Sequence, residues 1–98
     1  MTIRMDKQAN KLVLAPEGRV DTITAPELEK VIKENLDGVT SLVFDLTDLE
    51  YISSAGLRVL LAAQKIMNGQ GEMKVCHANE TILEIFDVTG FSDILTIE

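Results

Sequence analysis

The stretch from Ser41 to Asn68, "SLVFDLTDLEYISSAGLRVLLAAQKIMN", constrains the fold more than any other. Ser41 to Leu46 is a short apolar run that reads as a central strand. A helix pattern comes next from Ser53 to Asn68, with Val59, Leu60, Leu61, Ala62, Ala63, Ile66 and Met67 spread widely around its axis. A helix apolar on so many sides has to be largely buried, with Arg58 and Lys65 marking a narrow wet side. "GQG" (69–71) ends it and "EMKVCHA" reads as the next strand. A strand–helix–strand unit of this kind implies a right-handed parallel crossover.

The rest of the chain continues the alternation. Ile3 and Met5 alternate with polar neighbours, "KLVLA" (Lys11 to Ala15) is a short apolar run, and "DKQAN" between them reads as a hairpin loop. Pro16 and Gly18 punctuate the next segment, with "RVD" completing the second strand or its exit. In "TAPELEKVIKENLDG", Thr24 and Glu27 have capping-box spacing and Pro26 sits in the first turn. Leu28, Val31, Ile32 and Leu36 form its apolar stripe, and Gly38 is placed to close it as a left-handed residue. "NETILEIFDVTG" predicts a third helix with Ile82, Leu83, Ile85 and Phe86 inward and Gly90 as its stop, and "ILTIE" a last short strand. The order β-β-α-β-α-β-α-β predicts an α/β fold: a mixed, mostly parallel β-sheet with an antiparallel edge strand and helices on its apolar faces. Ninety-eight residues, 46% of them hydrophobic, suffice for one small domain spanning 1–98. With three Phe, one Tyr and no Trp, its core must be aliphatic.

Sixteen acids against nine bases give a formal charge of −7. That argues against nucleic acid, which needs clustered Lys and Arg, and against direct contact with anionic membranes. It suits a protein partner with a basic patch, and it also simply aids solubility. Cys76 is alone, so no internal disulfide forms. "MTIRMDKQ" lacks the apolar core of a signal peptide and no apolar run reaches membrane-spanning length. The expected location is the cytoplasm.

Ser53 and Ser54 admit two readings. Serine is a favoured helix N-cap, worth about 1 kcal/mol over alanine. The same junction lies at the carboxyl end of a strand, where open α/β sheets place their sites, and a helix start also holds phosphate well. Ala55 and Gly56 keep the surroundings small enough for another protein to approach. Serine hydrolysis fails on its partners: His77 is the only histidine and no G-x-S-x-G elbow is present. His77 reads as a strand-end surface residue and Cys76 as a small buried core residue. Together they make a poor metal set unless carboxylates from elsewhere join them, so no metal site is expected. Asp45 and Asp48 invite comparison with a response-regulator receiver, but Met5–Asp6 supplies no acidic pair after the first strand. No phosphate-binding glycine loop occurs, and no cofactor is expected.

At these residues the chain resembles the STAS domain, specifically the anti-sigma factor antagonists of bacteria. "GRVD" (Gly18 to Asp21) is similar to the segment before the family's first helix. "VFDLTDLEYISSAGLRVLL" (Val43 to Leu61) matches its strand, loop and serine-bearing helix start. "GEMKVCHANETILEIFDVTGF" (Gly71 to Phe91) resembles the family's next strand and helix. The resemblance implies a STAS-type fold with helices packed mainly on one face, where composition alone left one covered face or two. It implies a regulatory chain, not an enzyme, in which Ser54 is phosphorylated by an anti-sigma factor serine kinase and restored by a phosphatase. Asp21, Thr22, Ser53, Ala55 and Gly56 would border the partner surface. The sequence departs from the family pattern at Ser53 (often Asp), Ala55 (often Ser or Thr) and Arg58 (often Gly). Ser53 therefore stays open as a candidate second acceptor beside Ser54, and a long final family helix is not expected within 98 residues. The alternative is a non-switching STAS subunit of a membrane transporter complex, or a scaffold domain of a signalling assembly.

Overall fold

The computed structural model describes residues 1–98. Two strands, β1 (Ile3–Gln8) and β2 (Lys11–Pro16), form an antiparallel hairpin. Its turn is shorter than the predicted "DKQAN" loop, because the strands pair out to Gln8 and Lys11 and leave only Ala9 and Asn10 between them. Next in the chain come β3 (Gly18–Val20), β4 (Ser41–Asp45), β5 (Leu49–Ile52) and β6 (Glu72–Cys76). β4 and β6 extend the sheet with parallel pairing, in the order β1-β2-β4-β6. β3 and β5 make a separate parallel pair. The helices are α1 (Ala25–Asn35), α2 (Ser54–Asn68) and α3 (Glu80–Thr89), with a 3₁₀ turn at Phe91–Asp93.

Period-two alternation decides which sheet face is covered. Leu12 and Leu14 of β2, Leu42 and Phe44 of β4, and Met73 and Val75 of β6 are buried. They join one core cluster with Leu28 and Ile32 of α1, Leu57, Leu60, Ala63 and Met67 of α2, and Ile82 and Phe86 of α3. The alternate positions, such as Lys11, Val13, Val43 and Lys74, are exposed or half-buried. Helices therefore cover one face, as the resemblance implied.

Several local expectations are corrected. "RVD" does not finish the second strand: Gly18 to Val20 is its own strand, paired with the unpredicted β5. Strands of three and four residues carry too little periodicity to be seen without their partner. Thr24 and Glu27 form no capping box. Thr24 has no side-chain cap bond; its hydroxyl donates to Arg19 O at 2.8 Å, and Glu27 pairs with the Met1 ammonium at 2.9 Å. "ILTIE" is reduced to a single bridge between Val75 and Ile97. Ala62, Ile66 and Leu83 are exposed rather than inward, and Gln64 takes a buried place on α2. Cys76 is half-buried, because its position falls on the sheet's open face. Gly90 does close α3 in the left-handed region, at φ 82°. Gly71 is needed for a different reason. A Cβ there would lie 2.0 Å from Thr40 O, so the β6 approach tolerates no side chain.

Candidate functional site

β3 and β5 lie side by side, with Val20 opposite Ile52. The chain leaves both strands at the same edge, into Asp21–Thr24 on one side and Ser53–Ser54 on the other. Ser53 N–H donates to Val20 O at 2.8 Å, which fixes the start of α2 beside the Asp21 loop. Gly56 locks that approach. It is buried, and a Cβ on it would lie 2.6 Å from Ile52 Cγ1 and 2.7 Å from Val20 Cγ1. Gly56 is thus small for an internal reason: it lets α2 sit against the two strands.

The two serines have different surroundings. Ser54 is the first residue of α2 and is exposed. Ser53 occupies the N-cap position with extended backbone, but its side chain makes no cap bond. Its Oγ is buried without a partner in the chain. No acidic side chain sits in the first turn of α2. The helix start therefore keeps its free amides and the positive end of its dipole open to whatever is placed at Ser54.

The facing loop is tied to itself by hydrogen bonds. Asp21 Oδ1 accepts from Ile23 N–H (3.0 Å) and Thr24 N–H (3.1 Å), with the Thr24 hydroxyl at 3.3 Å. Asp21 N–H donates to Thr24 Oγ1 at 2.9 Å, and Ala25 N–H to Asp21 O at 2.8 Å. The Thr24 and Ile23 amides hold the Asp21 carboxyl below its usual range, so it is ionised at neutral pH. Thr22 is exposed and Ala55 is half-buried, and both line an open groove with Pro26, Glu29 and Arg58.

Five of the six predicted site residues, Ser54, Asp21, Thr22, Ser53 and Ala55, lie at this edge with part of their surface accessible, while Gly56 supports them from below. Sequence reasoning missed Ile23, an apolar side chain left 82% exposed beside Asp21. The available signal was an isoleucine between strand and helix that belongs to neither periodicity. Arg58 stands one turn along α2 from Ser54, exposed on the same side of the helix.

Comparison with known proteins agrees with this architecture. The family model "STAS domain" matches residues 2–98. BtrV of Bordetella bronchiseptica, provisionally named an anti-sigma factor antagonist, is 37% identical over 99% of this chain and 85% of its own. The crystal structure of an anti-sigma factor antagonist from Mycobacterium paratuberculosis superposes with a TM-score of 0.88 at 25% identity, covering 98% of this chain and 83% of that one. SpoIIAA from Bacillus, at 14% identity, shares the fold in both solved forms. Its unphosphorylated form gives a TM-score of 0.78 over 99% of this chain and 87% of that one. Its phosphorylated form gives 0.77 over 99% and 91%. The chain belongs to the STAS domain family, among the anti-sigma factor antagonists.

Proposed function

We propose that residues 1–98 form one STAS unit that acts by partner switching. Unphosphorylated, it binds a kinase-type anti-sigma factor through the edge formed by Ser54, Asp21, Thr22, Ala55 and Ile23. Phosphorylation of Ser54 by that partner ends the complex, and a phosphatase restores it. The role is regulatory and non-catalytic, and it belongs in the cytoplasm with the transcription machinery. The observation that carries this reading is the division between the serines: Ser54 is exposed at an uncapped helix start, while the Ser53 hydroxyl is buried. That division favours Ser54 as the acceptor over Ser53.

The physics of release is local. A phosphoserine brings about −1.5 to −2 charges, which the helix start and Arg58 tolerate in water. Docking strips solvent from the phosphate and from the ionised Asp21 together. A like-charge contact near ~4 Å costs about 4 kcal/mol at an effective dielectric of about 20. That approaches the roughly 5.5 kcal/mol needed to move a complex from almost fully bound to almost fully free. Steric exclusion at the edge adds to it, so no large rearrangement is required.

The test is incubation with the cognate kinase and ATP, read by intact mass and peptide mapping, followed by pull-down. Ser53→Ala should accept one phosphate, Ser54→Ala none, and Ser54→Ala should stay bound. A phosphate mapped to Ser53, or equal recovery of the partner by phosphorylated and bare protein, overturns the reading.

A further inference from the structure

We propose that Asp45, Cys76 and His77 form a binding site for a divalent transition-metal ion of the zinc class. The parallel register of β4 and β6 sets Asp45 opposite Cys76, at the carboxyl ends of both strands and on the face that the helices leave open. Leu46 N–H to Cys76 O, 2.9 Å, carries the pairing one residue further. The next residue, His77, has φ 61°, a left-handed conformation uncommon for a side chain of this size. It turns the chain so that Nδ1 stands 3.0 Å from Asp45 Oδ1. One ligand atom from each of the three residues lies within 4.8 Å of the others.

The donor set is chemically selective. A thiol, an imidazole and a carboxylate match zinc-like ions, whereas magnesium and calcium prefer oxygen alone. Around a tetrahedral zinc with bonds of about 2.0–2.3 Å, donor atoms stand roughly 3.3–3.6 Å apart. The His77–Asp45 contact at 3.0 Å is a hydrogen bond that a bound ion would replace, and the three ligand atoms, within 4.8 Å of one another, need only small shifts to converge on it. Asp45 is also held from behind: Oδ1 accepts the Thr47 hydroxyl at 2.6 Å and the Thr47 amide at 3.1 Å, which leaves Oδ2 free. Such outer-shell bonds orient metal ligands. The His77 side chain is 66% exposed, so an ion can enter and a fourth position stays open to water or a partner.

Titration of tag-free, reduced full-length protein with Co²⁺ tests this. Expected are one ion per chain, a thiolate-to-cobalt charge-transfer band, and its loss on adding Zn²⁺. His77→Ala and Asp45→Asn should each weaken binding at least about tenfold, and Cys76→Ser should remove the band. His77 is the decisive variant, because an exposed side chain can be truncated without unfolding the chain; circular dichroism without metal checks each variant. Absence of the band at saturating Co²⁺, or wild-type affinity in His77→Ala, overturns the site.

Discussion

α2 and α3 start from nearly the same backbone and end up differently. Asn79, before α3, has φ −73° and ψ 172°; Ser53, before α2, has φ −94° and ψ 177°. Both are good N-cap residues. Asn79 caps its helix: its Oδ1 accepts from Ile82 N–H at 2.8 Å, and its amide donates to Leu49 O and Glu50 O of β5 at 3.2 and 3.3 Å. Ser53 buries its hydroxyl and caps nothing. The difference teaches what each start is for. α3 closes its own end and ties itself to β5. α2 forgoes a stabilisation of about 1 kcal/mol and leaves its first amides without a side-chain acceptor. Its position is secured by packing instead, through the close seat of Gly56 on Val20 and Ile52.

The strongest way to break the comparison is to remove that seat. Gly56→Val should destabilise the fold by about 3 kcal/mol, the upper end for overpacking, because both neighbours are buried on short paired strands. Urea unfolding measures it; a midpoint within error of wild type would show that α2 is not held by this contact. The paired substitution Asn79→Ala and Ser53→Ala sharpens the contrast. Asn79→Ala should cost about 1–2 kcal/mol through the lost cap. Ser53→Ala should cost about nothing or stabilise slightly, because it removes a buried hydroxyl that lacks a partner. Equal losses in the two variants would mean that Ser53 caps α2 in solution.

This contrast also marks where the sequence stopped being legible. The order of long elements came from periodicity: the stripe of Leu28, Ile32 and Leu36 and the alternation of Leu42 and Phe44 are local signals, and all five are buried. β3 and β5 were not legible, because three- and four-residue strands exist only through each other. The motif around Ser54 could be recognised, but the division between two adjacent, chemically identical serines could not. It depends on which one the Val20 bond turns inward. Gly56 read as a small surface residue, since composition gives size and not direction. Asp45 and His77, 32 residues apart, meet only through the sheet register.

The smallest expected effect concerns the third helix start, where Asp21 organises the loop before α1. Its carboxyl is held below the ordinary value by the Thr24 and Ile23 amides. A carboxylate depressed in the folded state makes that state bind fewer protons than the unfolded chain. Its contribution is therefore complete above the unfolded value of about 3.9 and is lost as pH falls through the lower folded value. Asn at this position keeps an oxygen that can accept the same two amides but cannot be protonated. The difference in urea midpoint between wild type and Asp21→Asn should be small near neutral pH and shrink or reverse as pH drops below about 4. A difference that stays constant across that window would separate the loop's stability from the Asp21 charge. In the neutral range the same variant isolates that charge in binding: phosphorylated Asp21→Asn should release the partner less completely than phosphorylated wild type, because one of the two negative groups desolvated together is gone.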